Sequence, residues 1–309
     1  MQDGVMNTEN HQIIYILGPT AVGKTAVAMA FAEKIGGEII SADSMQVYRG
    51  LDIGTAKPSA DERARVRHHL IDILEMQELC DVARFQKLAF AAIHNVLSRG
   101  RRVVVTGGSG MYVRVLTQGL LEGPGRDEAL RRDLERLEDS ELRGRLLAVD
   151  AKAATRIDVK DRRRMVRALE FHAMTGQPLS SQQKQWSGEA SDGKIIFCLS
   201  RPREELYRRC DVRVKQMFDA GWVEEARGLM KRGLAETPTA AKAIGYREVM
   251  AHLRGEMDLA STIALVQQKT RNFVKRQLTW FRKEPHLTPV ELAAEEGPEE
   301  TATRLEKGI

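Results

Sequence analysis

Residues 18–25 read Gly18-Pro19-Thr20-Ala21-Val22-Gly23-Lys24-Thr25, directly after the apolar run Ile13-Ile14-Tyr15-Ile16-Leu17 and directly before Ala26-Val27-Ala28-Met29-Ala30. This is the spacing of a phosphate-binding loop set between a strand and a helix. Gly18 and Gly23 let the backbone wind tightly around an anion, so that successive N–H groups and the positive end of the following helix converge on phosphate oxygens. Lys24 adds a point charge, and the Thr25 hydroxyl is placed to hold a magnesium ion (Mg2+) bridging those oxygens. Loops of this kind occur in ATP-binding and other nucleotide-binding proteins. Its ligand is a diphosphate or triphosphate, and the loop alone leaves the chemistry open.

Outward from the loop, four short runs rich in β-branched residues predict buried strands at 13–17, 38–41, 102–106 and 194–199. Helical patterns at 25–35 and 83–98 separate the first three. Strands alternating with helices after a phosphate loop predict an α/β fold, a P-loop NTPase-like doubly wound parallel sheet with its site at the carboxyl ends of the strands. Between Gly123-Pro124-Gly125 and 188–193, charged, leucine-bearing segments replace strands, which predicts a helical insertion domain. The expected organisation is a first part of the catalytic core at 1–122, the insertion at 123–192, and a mostly helical second part of the core at 193–288. An acidic tail at 289–309 is expected to be loosely held.

The chain has 309 residues, enough for a large core. It has no apolar segment of membrane-spanning length and no hydrophobic signal core near Met1, so a cytoplasmic protein is expected. Cys80, Cys198 and Cys210 form no C-x-x-C pair and are read as reduced and structural. The net charge of +5 is modest, but Glu291, Glu295, Glu296, Glu299, Glu300 and Glu306 concentrate acid at the C-terminus, leaving the body more basic than the total.

At the strand ends, the run 38–41 delivers Asp43, a carboxylate that could bind magnesium through water or act as a base. Val103-Val104-Val105 ends in Thr106-Gly107-Gly108-Ser109-Gly110, where many phosphoryl-transfer enzymes place a metal-orienting aspartate. Asp43 or Asp72 would have to serve instead. The glycine turn allows close backbone approach and offers the Ser109 hydroxyl to an anion. His68 and His69 are adjacent, face different directions and are read as structural, with one near Asp72. Met45, Met111 and Met165 are read as packing residues.

From 259 to 283 there is no acidic residue, while Lys269, Arg271, Lys275, Arg276, Arg282 and Lys283 are basic. Arg162, Arg163, Arg164 and Arg167 form a second group at a helix start, where cations oppose the helix dipole. Lys242 and Arg247 flank Gly245-Tyr246 as a third. Separate basic patches with aromatic neighbours fit an extended polyanion, and structured RNA is the natural candidate.

Six segments carry a resemblance: 18–25, Asp43 through Pro58, His68-His69-Leu70-Ile71-Asp72, Gly107 through Tyr112, Gly245-Tyr246-Arg247 and Lys275 through Arg282. Together they resemble the tRNA dimethylallyltransferase family of bacterial type, over about 13–282. The resemblance implies transfer of the dimethylallyl group of dimethylallyl diphosphate to the exocyclic amine of the adenosine at tRNA position 37; a monomer is expected, though the sequence leaves the oligomeric state open. It further implies that Gly18, Pro19, Thr20, Ala21, Val22, Gly23, Lys24 and Thr25 hold the diphosphate, with Thr25 on magnesium. Asp43 corresponds to the general base, Ser109 stands where relatives carry threonine, and Arg213 corresponds to a diphosphate-binding arginine. The tRNA contacts implied are Asp43, Ser44, Met45, Gln46, Ser109, Arg131, Arg163, Arg164, Met165, Val166, Arg167, Lys242, Arg247, Lys275, Arg276 and Gln277.

Three rivals differ in what they need. A kinase of a small metabolite or nucleotide needs ATP phosphoryl transfer and a strand-end aspartate after Val105. A nucleotide-switched RNA-binding protein needs a base-recognition motif such as N-K-x-D. A prenyltransferase of free adenine nucleotides would leave most of the basic patches idle.

Overall fold

The computed structural model describes residues 13–119, 123–182 and 194–309. Six strands form one sheet: β1 (Ile13–Leu17), β2 (Glu38–Ser41), β3 (His68–His69), β4 (Val103–Gly107), β5 (Ile195–Ser200) and β6 (Thr288–Glu291). Their order is β3-β2-β4-β1-β5-β6 and every pairing is parallel. In β1 the side chains alternate between two cores: Ile14 and Ile16 join Val27, Phe31 and Val104, whereas Tyr15 and Leu17 join Phe85, Val103 and Val105. Burial on both faces explains why these strands read as continuous apolar runs. Leu17 pairs with Gly107 on one side and Cys198 on the other, so β1 and β4 end level at the carboxyl edge of the sheet while β5 runs on to Ser200.

Two strands lie outside the four expected. β3 is two residues of histidine, with no apolar run to announce it. β6 contains Pro289, which lacks an N–H; it is tolerated because β6 is an edge strand paired only with β5. With β6 comes a correction to the expected loose tail. The helix Pro298–Glu306 packs against Lys24–Ile35, and Val290, Leu292, Ala302 and Leu305 are buried in the same core as Phe31. Acidic residues are frequent here because they line the outer face. One of them is used internally: Glu296 accepts from Thr301 and from Arg304.

The chain divides into two compact units, Met1–Thr117 with Ser191–Ile309, and Gln118–Ala190. The second begins five residues before the expected 123, directly after the helix Gly110–Thr117. It carries the helices Glu128–Glu135, Asp139–Val149, Ala151–Arg156, Arg162–Thr175 and Leu179–Gln182. Its core holds Leu134, Leu142, Leu146, Met165 and Leu169. Fully buried Glu170 accepts two bonds from Arg131, both at 2.8 Å, one from Arg167 at 2.7 Å and one from the Asp127 amide at 2.9 Å. Desolvation alone would raise its pKa, but Arg131 and Arg167 outweigh it and hold it at about 2. In the first unit Arg99 above all, with help from His69, holds Glu38 at about 2 as well.

Both carboxyls lie below the unfolded value of about 4.3. Their contribution to stability is therefore complete above that value and is lost as pH falls through it towards 2. Acid titration followed by circular dichroism should show a shallower loss of stability over that window in Glu38→Gln and Glu170→Gln, each measured against its own neutral-pH stability. An unchanged acid limb would remove these two groups from it. Leu305→Ala should cost about 2–5 kcal/mol in urea unfolding, as for a well-packed core leucine; a loss under about 0.5 kcal/mol would mean that the C-terminal helix adds nothing to the core.

Candidate active site

The loop after β1 depends on backbone that L side chains rarely adopt. Gly18 and Gly23 have φ of 155° and 107°, and Ala21 is also left-handed at 64°. A Cβ on Gly18 would come within 2.8 Å of the Leu199 carbonyl, so only glycine fits. Two arginines bind the loop's carbonyls: Arg209 Nε donates to Ala21 O at 2.8 Å and Arg201 Nε to Val22 O at 3.1 Å. Gly23, at the N-cap of the helix Lys24–Ile35, offers no side chain to cap it. The first N–H groups of that helix therefore remain available to an anion.

Lys24 Nζ donates to Pro19 O at 3.3 Å. Desolvation chiefly, then Arg213, pushes its pKa down to about 8, while Asp43 opposes the shift. Burial likewise lowers the pKa of Arg213, which projects from the helix Arg203–Asp219. Two cations crowded and partly stripped of water form a site whose charge a diphosphate would neutralise. Lys24, Thr25, Asp43 and Arg213 line one small polar cavity of about 50 Å³.

Asp43 and Arg213 also line a second cavity of about 290 Å³, whose walls include Ser109, Met217, Trp222, Lys242, Ile244 and Phe273. Asp43 thus stands where a polar recess meets a larger, mainly apolar one. Its orientation is set by an Asx-type turn, Oδ1 accepting from the Met45 amide at 2.8 Å and the Gln46 amide at 3.3 Å. The Ser44 amide donates to Ser109 Oγ at 3.3 Å, joining the turn after β2 to the turn after β4. Asp72, the other candidate carboxylate, is occupied by Lys57 at 2.5 Å and Arg63 at 2.7 Å.

The basic residues divide sharply. Arg163, Arg247, Lys275 and Arg276 are exposed, Arg276 lying 5.6 Å over the Phe273 ring, and Lys242 is exposed on the rim of the larger cavity. Arg164 is exposed and 3.3 Å from Asp161. Arg131 and Arg167 are committed to Glu170. Met165 and Val166 are buried in the second unit, and their side chains cannot meet RNA without opening it. Gln277 is only 5% exposed, and both ends of its amide are used: Oε1 accepts from the Thr20 amide and Nε2 donates to Gly108 O, both at 2.9 Å. On the long helix Leu259–Phe281, Lys269 pairs with Glu248 and Arg271 with Asp211 at 2.5 Å. The basic face there is smaller than sequence suggests. Met111 is exposed instead of packed.

Sequence reasoning missed two contributors. His68 lines the polar cavity; its Nδ1 lies 2.7 Å from Val66 O, and its buried Nε2 has no partner among the described residues. Its neighbour His69 pairs with Glu38 and not with Asp72. Glu225 closes the loop 52–54 from 171–173 residues away, a separation no local pattern signals.

Fold and site define a class: an α/β protein with a glycine-bearing loop and two partly desolvated cations at the carboxyl edge of a parallel sheet, beside a carboxylate that opens onto a second chamber. The sequence model of the IPP transferase family matches residues 46–284. The tRNA dimethylallyltransferase of Geobacter metallireducens is 46% identical over 288 residues, 92% of this chain and 93% of that one. That of Anaeromyxobacter dehalogenans is 48% identical over 300 residues, covering 96% and 99%. Among solved structures, the tRNA isopentenylpyrophosphate transferase of Bacillus halodurans has a TM-score of 0.69 at 36% identity over 96% of each chain. A eukaryotic dimethylallyltransferase acting on tRNA has a TM-score of 0.75 at 24% identity over 90% and 74%, a likeness of fold. The chain belongs to the tRNA dimethylallyltransferase family and is a prenyl-transferring enzyme.

An anion favours protonated Lys24 and so raises its pKa above about 8. Above that pH, binding must take up a proton, and affinity falls by up to tenfold per unit; below it Lys24 adds no slope. Calorimetry with inorganic diphosphate from pH 7 to 9.5, divided by the same series for Lys24→Met, should isolate this slope. A flat ratio would remove Lys24 from the anion's reach.

Proposed function

We propose that the protein transfers the dimethylallyl group of dimethylallyl diphosphate to the exocyclic amine of adenosine at tRNA position 37, immediately 3′ of the anticodon, and releases diphosphate. The observation that carries this reading is Asp43 at the meeting of the two cavities, one lined by Lys24, Thr25 and Arg213, the other by Met217, Trp222 and Phe273. The first suits diphosphate; the second has the size and apolar walls for a five-carbon group facing a purine.

Adenine's exocyclic nitrogen is a poor nucleophile because its lone pair is delocalised into the ring. Asp43 accepts a proton from it as the bond to the allylic carbon forms. The C–O bond to diphosphate breaks in the same displacement, and the electron pair leaves with the diphosphate. Lys24, Arg213 and the N–H groups at the start of Lys24–Ile35 stabilise that growing charge. Ser109 fixes the turn that carries Asp43. Among the described residues no cluster of three His, Cys, Asp or Glu forms a cage for a metal. Thr25 lines the polar cavity beside Lys24 and Asp43, and magnesium is commonly held by a few protein oxygens and substrate phosphates. Thr25 would hold it, and the ion would add charge stabilisation on the leaving group.

tRNA is bound on this reading by the exposed Arg163, Arg164, Arg247, Lys275 and Arg276, with Lys242 and Ser44 through Gln46 nearest the base. The adenosine must leave its stack to reach Asp43, at a cost of roughly a few kcal/mol that phosphate contacts offset. On this reading the protein acts as a cytoplasmic monomer, with tRNA as its macromolecular partner. The kinase alternative is disfavoured because β4 leads into Gly108 and Ser109 without a carboxylate.

Incubation with labelled dimethylallyl diphosphate should label tRNA and not AMP, without ATP. Asp43→Ala should lower turnover by roughly 10²- to 10⁴-fold with diphosphate binding kept. Near-normal turnover in a folded variant would dismiss Asp43 as the base. Replacing Arg163, Arg247 and Lys275 together by alanine should reduce the slope of log affinity for tRNA against log salt by about 2–3, roughly 0.7–0.9 for each phosphate no longer neutralised. Parallel salt slopes would show these residues to be a solvated surface.

A further inference from the structure

We infer that Glu225 is a positioning residue for Asp43, acting through the loop 52–56 and Gln46. One carboxylate gathers four donors: Oε2 accepts from the amides of Asp52 at 2.9 Å and Ile53 at 2.6 Å, and Oε1 from the Gly54 amide at 3.3 Å and the Tyr246 hydroxyl at 2.6 Å. Three successive backbone N–H groups turned towards one point make an anion-binding concavity, and here the protein fills it from the helix Trp222–Lys231. Burial, and then Glu225 itself, raises the Tyr246 pKa, so that this phenol stays a donor. Gly54 adds a steric lock, since a Cβ there would lie 2.2 Å from the Trp222 indole nitrogen.

The held loop is connected to Asp43 by a short series of bonds. Gln46 Nε2 donates to Thr55 O at 3.3 Å and Ala56 O at 3.2 Å, while its Oε1 accepts from the Ser41 hydroxyl at 2.9 Å. With its side chain held at both ends, Gln46 presents its backbone amide to Asp43 Oδ1. Thr55 and Gly54 also wall the larger cavity beside Asp43. Without the carboxylate three adjacent N–H groups lose a common acceptor, the loop can leave Trp222, and Gln46 loses both of its carbonyl partners. The cost falls on the orientation of Asp43 relative to the reacting nitrogen. A displacement on the order of 1 Å there is worth about a hundredfold in rate. Glu225 itself lines neither cavity; Gln46 and Thr55 form wall in the polar cavity too, but the cations there, Lys24 and Arg213, make no bond to the loop 52–56 or to Gln46.

The test uses the full chain with Glu225→Gln, Glu225→Asp, Gln46→Ala and the double variant Glu225→Gln/Gln46→Ala. Its kinetic arm rests on the prenyl transfer proposed above; its amide-exchange arm does not. Glu225→Gln should lower kcat by about tenfold to a hundredfold with KM for dimethylallyl diphosphate within threefold. The double variant should be no slower than Gln46→Ala alone. Hydrogen exchange should speed up at Met45 and Gln46, the donors to Asp43, while β1 and β4 amides keep their protection. Glu225→Asp, one methylene short of the loop, should show the same pattern in milder form and serves if the amide variant does not fold. Unchanged exchange at Met45 and Gln46, additive kinetic losses, or a loss of melting temperature with kcat intact would each overturn the inference. Failure of the wild type to label tRNA, with the exchange result as expected, would instead count against the transfer reaction and leave the positioning chain standing.

Discussion

One buried carboxamide holds the phosphate loop to the rest of the site. Gln277 accepts from Thr20 N and donates to Gly108 O, so the helix Leu259–Phe281 is tied to the turns after both β1 and β4. Those turns lie close together: a Cβ on Gly108 would meet Gly18 O at 3.0 Å and Gln277 Nε2 at 2.4 Å, and one on Gly107 would meet Ala42 O, after β2, at 2.3 Å. Glycine supplies the proximity, and the amide satisfies the two backbone groups that proximity would otherwise bury unpaired. A buried network of this kind is stable when complete and costly when broken. Asp43 is tied to β4 and the turn after it from the other side: the Ala42 amide before it donates to Thr106 O at 2.7 Å and the Ser44 amide after it to Ser109 Oγ at 3.3 Å.

The electrostatics of the site are unfavourable to its own cations. Lys24 and Arg213 both lose hydration and repel each other, and Asp43 offsets only part of this. Such an arrangement has a cost in stability, but it is complementary to two or three negative charges arriving together. It is also preorganised: Arg201 and Arg209 hold the loop's carbonyls, so in the proposed transfer little rearrangement would be needed as charge develops on the leaving group. Val214, Met217, Trp222, Ile244 and Phe273 give the larger cavity its apolar part, which in the proposed transfer would lie against the allylic carbon.

Much of this was legible in sequence where the signal was local. The loop 18–25, its strand and its helix lie where spacing puts them, because glycine dihedrals, apolar runs and helix starts are encoded within about ten residues. β3 and β6 were not legible: two histidines carry no periodicity, and Pro289 argues against a strand unless the edge position is known. The tail was misjudged for a related reason. Composition registered its glutamates, but folding is decided by Val290, Leu292, Ala302 and Leu305, which are too widely spread to form a run.

Charge was the least legible property, since its meaning depends on partners far along the chain. The helix Arg162–Thr175 begins with three arginines, and local reasoning reads them as opposing the helix dipole and awaiting an external anion. In the folded unit Asp161 caps that helix by accepting from the Arg164 amide at 3.2 Å, and Arg162 turns back to the Glu135 carbonyl at 2.7 Å and to Asp139. Arg167 joins Arg131 on Glu170. Of the four arginines, only Arg163 lacks a carboxylate within ion-pair reach among the described residues. The same division holds on Leu259–Phe281, where Lys269 and Arg271 brace neighbouring helices while Lys275 and Arg276 stay in solvent. Basic residues within reach of an acid therefore stabilise the scaffold, and those beyond it give it an outward field. Specific recognition of an RNA needs both, because exposed charges select a partner's shape only when the elements carrying them cannot shift.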